Sequence, residues 1–287
     1  MMRIDAHQHF WRYDADAYPW MDAGMGVLQR NWLPADLRPL LDAQGIDTCI
    51  AVQARAEEAE TDFLLQLADE YDWIAAVIGW VDLRADDLDA RLAQWSGRAK
   101  LAGFRHLLQD DPDVAATLAD PAFNRGVAAL QARGQVYEVL VRGADQLALA
   151  PVFCARHDRH WLVLDHLGKP AIGGDGDAAW RKALAEVAAL PHVACKLSGL
   201  VTEVAGDRVD ADAIRRYLDT ALELFGPQRL LFGSDWPVCL LRADYAEVAA
   251  IVAGWSQALS TDERAALWGG NAARCYGLPR EETTRND

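Results

Sequence analysis

Two histidines separated by a single residue, His7 and His9, lie in the run Arg3-Ile4-Asp5-Ala6-His7-Gln8-His9. Side chains two positions apart lie on the same face of a β-strand, so a strand over this run would present both imidazoles to one point. Imidazole binds divalent metals, polarises carbonyl groups and transfers protons. A His-x-His pair can equally be solvated surface, so its assignment depends on what the other elements bring to the same point.

Further apolar runs have the length and composition of strands, and helical patterns separate them. The predicted strands after the first are 48–53, 74–81, 101–107, 136–141, 162–165, 193–197 and 230–233. The predicted helices include 34–44, 60–71, 88–95, 121–133, 145–157, 178–190 and 211–225. Strands that are apolar throughout are typical of a parallel sheet covered on both faces. Eight such β-α units in 287 residues indicate an α/β protein with a single-domain (β/α)8 barrel. A doubly wound open sheet is the alternative, but no glycine-rich phosphate-binding turn follows the first strand.

Composition and charge narrow the class of protein. With 52% hydrophobic and 25% charged residues the chain is typical of globular proteins, and no run approaches the ~20 apolar residues of a membrane span. The net charge of −15 argues against nucleic acid or an anionic membrane surface as partners. The N-terminus lacks a signal-peptide pattern, and the five cysteines form no CxxC pair. We therefore predict a cytoplasmic protein with its barrel in residues 1–278 and a polar C-terminal tail in 279–287, and leave assembly into a homo-oligomer open.

Polar residues at strand ends converge in such a fold, because the active site of a (β/α)8 barrel lies at the carboxyl ends of its strands. His7 and His9 would come from the first strand, His166 from the end of the sixth and Asp235 from the end of the eighth. A carboxylate that faces imidazoles can take a proton from water, and the same four side chains could hold a divalent metal. Helix capping is the structural alternative for Asp235 and for the Asp165-His166 pair.

Six short motifs fall in order on separate predicted elements. They are DAHQH (5–9), GFRH (103–106), DHLGKP (165–170), KLSG (196–199), FGSDWP (232–237) and NAARCY (271–276). Together they resemble the amidohydrolase superfamily over residues 2 to about 278, and within it the branch of sugar lactonases and 2-pyrone-4,6-dicarboxylate lactonase. The resemblance implies a hydrolase of carboxylic esters that opens a 1,5- or 1,4-lactone of a sugar acid, such as L-fucono-1,5-lactone.

Departures from the superfamily pattern bear on the metal. Binuclear members carry a carboxylated lysine on strand four and a histidine on strand five, where this chain has Arg105 with His106 and Tyr137 with Glu138. Mononuclear members also use the strand-five histidine. The resemblance therefore implies one divalent ion, zinc, that is weakly held or dispensable, with the three histidines and Asp235 named above as its ligands.

The chemistry of a lactone makes modest demands, because it is an activated ester whose leaving group is its own ring oxygen. We predict that Asp235 takes a proton from water, which attacks the lactone carbonyl. His7, His9 and His166, with or without zinc, would stabilise the developing oxyanion. Asp235 or a nearby histidine would then return a proton to the ring oxygen.

Recognition of a sugar lactone needs groups that bind hydroxyls and apolar walls that hold the ring. The candidates are polar residues and tryptophans near strand ends: Gln53, Arg105, His106 and Glu138 for the hydroxyls, and Trp32, Trp80 and Trp236 for the walls. Two of these assignments have alternatives. Arg105 could form an ion pair inside the barrel mouth, and Glu138 could be a buried partner of Lys196.

Other functions stay open at the level of sequence. A 2-pyrone-4,6-dicarboxylate lactonase needs several arginines for two carboxylates, whereas Arg105 alone sits clearly at a strand end. A zinc-dependent decarboxylase of the same superfamily shares the His-x-His start and the strand-eight aspartate, and would release carbon dioxide. A barrel that binds a sugar acid without turnover gives no reason for several histidines and an acid at one face.

Overall fold

Eight short strands, buried along nearly all their length, form one sheet in the computed structural model, which describes residues 2–174, 176–206 and 208–279. The strands are β1 (Ile4–Gln8), β2 (Thr48–Val52), β3 (Ile74–Gly79), β4 (Leu101–His106), β5 (Val136–Val139), β6 (Leu162–Leu164), β7 (Val193–Leu197) and β8 (Leu230–Phe232). Neighbours in the sheet follow chain order and pair in parallel from β1 to β8. The prediction of a (β/α)8 barrel is confirmed.

Helices follow the strands and pack on the outside of the sheet. They are α1 (Pro34–Ala43), α2 (Glu58–Glu70), α3 (Leu88–Ala93), α4 (Val114–Ala119), α5 (Pro121–Ala132), α6 (Gly143–Leu147), α7 (Ala150–Arg156), α8 (Asp177–Ala188), α9 (Ala211–Phe225), α10 (Tyr245–Trp255), α11 (Thr261–Ala265) and α12 (Asn271–Cys275). The prediction of one helix over 145–157 is wrong. Two helices, α6 and α7, lie there, because Pro151 at the start of α7 lacks the N–H that a continuous helix would bond. In the part of the chain that the structure describes, no helix has the length and apolarity needed to cross a membrane.

The barrel closes where β1 meets the segment that follows β8. His9 N donates to Trp236 O at 2.7 Å, and Asp235 N donates to His7 O at 2.8 Å. Gln8 and Trp236 form a parallel bridge beside these bonds. The closure of the barrel therefore brings the two histidines of the first strand alongside Asp235.

The amino-terminal end of the barrel is filled by apolar side chains and covered by α12. The strand residues that pack there include Ile4, Ala6, Ile50, Val52, Ala76, Ile78, Val163 and Ala194. Asn271 of α12 donates to Pro227 O and Leu230 O, both at 2.8 Å, which fixes this helix where β8 begins. The opposite end, where the strands finish, is left for the site. The predicted tail 279–287 lies, apart from Pro279, outside the described residues.

Candidate active site

Three histidines and one aspartate meet at the carboxyl end of the barrel. The ring centroid of His7 lies 5.0 Å from that of His9 and 4.4 Å from that of His166. Asp235 Oδ1 lies 3.3 Å from His9 Nε2 and 3.7 Å from His7 Nε2. None of the four residues is more than 4% exposed. The structure thus brings together the four residues that their strand-end positions selected.

The segments that carry His166 and Asp235 have a backbone conformation that is unfavourable for residues other than glycine. His166 has a φ of 53°, Lys169 of 49° and Asp235 of 59°. This left-handed conformation costs about 1–2 kcal/mol per residue, and such strain concentrates at functional sites. Ser198 Oγ lies 2.9 Å from His166 Nδ1 and orients the strained histidine.

Gly199 allows the loop after β7 to approach the cluster closely. Its φ is +65°, and a Cβ placed there would lie 2.5 Å from His166 Nδ1 and 3.1 Å from Asp235 Oδ2. Any side chain at this position would displace the imidazole or the carboxylate. Glycine therefore meets a conformational and a steric requirement together.

The hydrogen bonds of His9 determine which of its nitrogens faces Asp235. His9 Nδ1 lies 2.7 Å from Val52 O, which only accepts, so Nδ1 carries a proton. A neutral His9 then presents the lone pair of Nε2 to the Asp235 carboxylate at 3.3 Å. Two acceptors at this distance need a cation between them, either a second proton on His9 or a metal ion. Burial lowers the pKa of His9, which disfavours the second proton and favours a metal.

The wider set of donor atoms fits a single divalent ion. One nitrogen from each of His7 and His9 and one oxygen of Asp235 lie within 4.8 Å of one another, and His7, Asp165 and His166 form a second such group. Imidazole and carboxylate are the ligands that zinc takes in catalytic sites. The carbonyl that orients His9 is the kind of outer partner that metal-binding histidines usually have.

Charged side chains form a buried network inside the barrel, directly beneath this cluster. Lys196 Nζ lies 2.6 Å from Glu138 Oε1, 3.1 Å from Asp165 Oδ1 and 3.0 Å from His7 Nδ1. Tyr276 donates its hydroxyl to Glu138 Oε1 at 2.6 Å. Burial first, and then the Lys196 ammonium, lower the pKa of His7 well below 6.5, so His7 is a neutral imidazole. The Lys196 ammonium thus contacts two buried carboxylates and the site, and the Arg105 guanidinium pairs with the second carboxylate, Asp165.

Asp235 is ionised at neutral pH. Burial alone would raise the pKa of its carboxyl, but the neighbouring histidines, His166 first, hold that pKa below the usual 3.8. Burial lowers the pKa of His166 to about 4, against the carboxylates of Asp235 and Asp165, which raise it. The cluster therefore offers a carboxylate base beside neutral imidazoles.

A cavity of about 440 Å³ opens onto the cluster. His9, Arg105, His166 and Asp235 line it from the barrel. Loops and strand ends supply the other lining residues, among them the apolar Trp20, Met25, Leu140, Val238 and Leu241 and the polar Gln109, Arg142, Lys169, Thr202 and Glu203. Its volume is in the range of sites for small molecules, about 300–1,000 Å³.

Most of the polar residues predicted to contact a sugar are engaged elsewhere. Arg105 lines the cavity, but its guanidinium also pairs with Asp165 at 3.0 Å. Glu138 belongs to the buried network, and Gln53 Nε2 donates to the backbone carbonyl of Arg105 at 2.9 Å. His106 Nε2 lies 3.1 Å from an Asp111 carboxylate oxygen. These side chains therefore bind other groups of the protein. The structure agrees with the alternatives given above, an ion pair for Arg105 and a lysine partner for Glu138.

The predicted tryptophan walls also lie away from the cavity. Trp236 is fully buried, with its ring centroid 6.1 Å from that of Phe10 and 5.1 Å from that of Trp32. Neither Trp32 nor Trp80 is among the lining residues. Trp236 packs in the layer between sheet and helices, because the residue after Asp235 turns away from the barrel axis. Trp20, from the loop after β1, supplies the aromatic wall instead.

Six polar lining residues were not selected from the sequence: Gln109, Asp110, Arg142, Lys169, Thr202 and Glu203. Each lies in the loop that follows a strand end, which is the signal that could have identified them. Lys169 is also part of the DHLGKP motif, directly beyond His166. The loops, more than the strand ends, supply the polar wall.

Comparisons with known proteins identify amidohydrolases and lactonases as relatives of this chain. A family model described as an amidohydrolase matches residues 4–278. The chain is 58% identical to L-fucono-1,5-lactonase from Burkholderia multivorans, over 99% of this chain and 99% of that protein. It is 36% identical to L-fucono-1,5-lactonase from Burkholderia ambifaria, over 97% and 96% of the two chains. A crystal structure of an amidohydrolase from Burkholderia multivorans with bound zinc has a TM-score of 0.94 at 59% identity, and covers 97% of this chain and 100% of that one.

Proposed function

Because this chain belongs to the amidohydrolase family, and because an ionised aspartate faces neutral histidines in its cavity, we propose that it hydrolyses sugar lactones. The proposed substrate is L-fucono-1,5-lactone, which opens to the corresponding sugar acid. The observation that carries the proposal is the 3.3 Å approach of the Asp235 carboxylate to His9 Nε2 at the cavity, on a chain 58% identical to a lactonase of that substrate. The protein is thus a hydrolase that acts on carboxylic ester bonds.

The reaction requires a nucleophile and stabilisation of an oxyanion. Asp235 takes a proton from a water molecule as that water attacks the lactone carbonyl carbon. The carboxylate is suited to this step because its lowered pKa keeps it ionised at neutral pH. The Arg105 guanidinium, which also lines the cavity, presents positive charge on the side of the developing oxyanion.

Zinc is the divalent metal that we propose for this site, with His9 and Asp235 as ligands and His7 and His166 as further donors. When bound, the metal would polarise the carbonyl oxygen and lower the pKa of nearby water. When it is absent, the Arg105 guanidinium at the cavity still presents positive charge to the developing oxyanion. The site therefore keeps an electrophile in either state.

Hydroxyl recognition falls to the polar wall of the cavity in this proposal. Gln109, Arg142, Lys169 and Glu203 offer donors and acceptors, and Trp20 offers an apolar face. An uncharged polyol suits this mixture of charges. A dicarboxylate would meet the carboxylate of Glu203 on the same wall, which makes the 2-pyrone-4,6-dicarboxylate reaction the weaker alternative. Cytoplasmic location and homo-oligomer assembly stay predictions.

A panel of freshly prepared aldonolactones tests the proposed function. With a pH indicator we expect rapid acid release from L-fucono-1,5-lactone, with kcat/KM in the usual enzymatic range of about 10⁴–10⁸ M⁻¹s⁻¹. D-Glucono- and L-rhamnono-lactones serve as comparisons for the sugar configuration. No turnover of any lactone would overturn the proposal, and release of carbon dioxide from an aromatic acid would identify a decarboxylase instead.

Removal of metal should weaken the activity only modestly. After prolonged chelation, with metal content measured by mass spectrometry, we expect kcat to fall by less than about tenfold, because the Arg105 guanidinium at the cavity still stabilises the developing oxyanion. Activity that vanishes on chelation and returns with zinc would show that the metal is essential and that Arg105 alone does not stabilise the oxyanion.

Replacement of Gly199 by alanine should damage the site more than the fold. The added methyl group would lie 2.5 Å from His166 Nδ1, so the ring must move. We expect kcat/KM to fall by about 100-fold or more, with a loss of stability of about 1–2 kcal/mol from the left-handed backbone. Gly134→Ala is the matched control, because its φ is +70° and nothing lies within 4 Å of its added Cβ. Equal activity of the two variants would contradict the steric argument.

A further inference from the structure

We propose that Lys169 is the residue that donates a proton to the ring oxygen as the lactone opens. The inference rests on the proposed lactonase function and adds to it the identity of the acid. Lys169 belongs to the DHLGKP motif, in which His166 already has a role in the site.

The ammonium of Lys169 is uncommitted. Its side chain lines the same cavity as Asp235 and His166. Among residues 2–174, 176–206 and 208–279, Nζ forms no ion pair with a carboxylate and no hydrogen bond with a protein acceptor. Lys196, by contrast, is bonded to two carboxylates in the buried network. An ammonium with three donors and no protein partner beside a catalytic base indicates a partner on the substrate.

The backbone holds Lys169 at a fixed position relative to the catalytic cluster. Lys169 N donates to His166 O at 2.8 Å, and its own carbonyl accepts from Gly143 N at 3.1 Å. Its φ of 49° is left-handed. The strained turn that orients His166 therefore also directs Lys169 to the cavity.

The other groups of the cavity are less suited to supply this proton. Arg105 is paired with Asp165 and contacts His7. Arg142 lines the cavity, but a guanidinium does not give up its proton in proteins. His166 is neutral and its Nδ1 is engaged by Ser198. Lys169 alone among the cations of the wall is both uncommitted and able to lose a proton.

The surroundings of Lys169 also favour release of a proton. Burial lowers the pKa of its ammonium below 10.5, while the carboxylates of Asp235 and Glu203 raise it in part, and Arg142 and Arg105 lower it again. An acid weaker than a carboxylic acid is still strong enough to protonate an alkoxide.

The step balances without any further reactant. The oxygen of water forms a bond to the carbonyl carbon, and Asp235 takes one proton of that water. The bond from the carbonyl carbon to the ring oxygen then breaks, and its electron pair accepts a proton from Lys169 Nζ. The carboxylic acid product ionises, Asp235 releases its proton, and Lys169 regains one, so that each turnover releases one proton to solvent.

Two variants and two substrates separate proton donation from simple positive charge. We would measure kcat for L-fucono-1,5-lactone and for its analogue with sulfur in the ring, in wild type, Lys169→Met and Lys169→Arg. With the oxygen lactone we expect both variants to lose about 100-fold or more in kcat, because neither methionine nor arginine can give up a proton. With the sulfur analogue we expect losses below about tenfold, since thiols ionise near ~8.5 and leave without protonation. Arg142→Met, which removes the neighbouring cation, should affect both substrates by the same factor.

Rescue by small amines gives a second measurement that does not depend on the sulfur analogue. Lys169→Ala should regain activity in methylammonium, which donates protons, and not in tetramethylammonium, which cannot. Retention of more than a tenth of kcat in Lys169→Arg, equal losses on both substrates, or rescue by both amines would overturn the proposal and leave a charge or binding role. Thermal unfolding identifies any variant that fails to fold. If the methionine or alanine variant does so, the kcat of Lys169→Arg distinguishes proton donation from a role of the charge alone. Lack of lactone turnover by the wild type would overturn the proposed function and this inference with it.

Discussion

In the Asp235→Asn variant we expect kcat for L-fucono-1,5-lactone to fall by about 10³-fold or more, while the protein keeps its fold. The amide removes the base that accepts the proton of water, a contribution of about 10²–10⁴, and also removes the carboxylate that faces His9 Nε2 at 3.3 Å. Asparagine is nearly isosteric and tolerates the left-handed backbone that Asp235 adopts, with its φ of 59°. Loss of activity therefore reports chemistry rather than unfolding.

The measurement pairs the hydrolysis assay with thermal unfolding of the same samples. Asp212→Asn is a suitable control, because this carboxylate is exposed on α9 and pairs with Arg215 on the same helix. We expect the control to keep wild-type kcat. If Asp235→Asn retained more than a tenth of kcat, another group would have to serve as the base.

Lys196→Met should produce the largest loss of stability of any single substitution considered for this protein. The variant leaves the Glu138 carboxylate buried without the ammonium that lies 2.6 Å from it, while Asp165 loses the same ammonium at 3.1 Å but keeps the Arg105 guanidinium at 3.0 Å. Removal of one partner from a buried ion pair costs about 3–5 kcal/mol in the free energy of unfolding. Urea unfolding followed by circular dichroism measures this loss.

Two further variants make the result specific. Lys182→Met changes an exposed lysine on α8 in the same way and should alter the free energy of unfolding by less than about 0.5 kcal/mol. Lys196→Met combined with Glu138→Gln removes the carboxylate that lost its ammonium partner, so it should be more stable than Lys196→Met alone. A double variant that is less stable would show that the methionine itself, not the orphaned charge, disrupts the barrel.

The barrel and the cluster of three histidines with Asp235 were predictable because they follow from short-range periodicity and from the topology of the fold. His7 and His9 share a strand face by their spacing alone. His166 and Asp235 follow apolar strands, and the carboxyl ends of eight parallel strands meet at one mouth. Neither inference needs the side-chain packing of the surrounding loops.

The substrate wall was not predictable in the same way. Trp80 directly follows β3, and Trp236 lies in the segment that follows β8. Whether such a residue faces the cavity or the helix layer depends on the backbone of each loop. Trp20 reaches the cavity from an irregular loop that has no periodicity. The turn that directs Lys169 into the cavity is left-handed at position 169, where the sequence has a lysine and not the glycine that would have indicated such a conformation.

The pairing of buried charges depends on barrel register, which a single sequence does not contain. Lys196 and Glu138 come from strands that are not neighbours in the sheet, since β6 lies between them. They meet only because both side chains point to the barrel axis at the same height. The sequence allowed this pair as one alternative, and the structure supplies the geometry.

The hydrogen bonds that close the barrel have a consequence for how the protein acquires activity during folding. Ser234 N donates to the Asp5 carboxylate across 229 residues of chain, so the first and last strands meet within the site. Contacts between such distant segments carry the greatest loop-closure entropy and form late in folding. No fragment that lacks either end of the chain contains the complete site. Turnover therefore reports that the barrel has closed. A chain cut in any loop between α1 and α10 would be inactive until its two fragments associate.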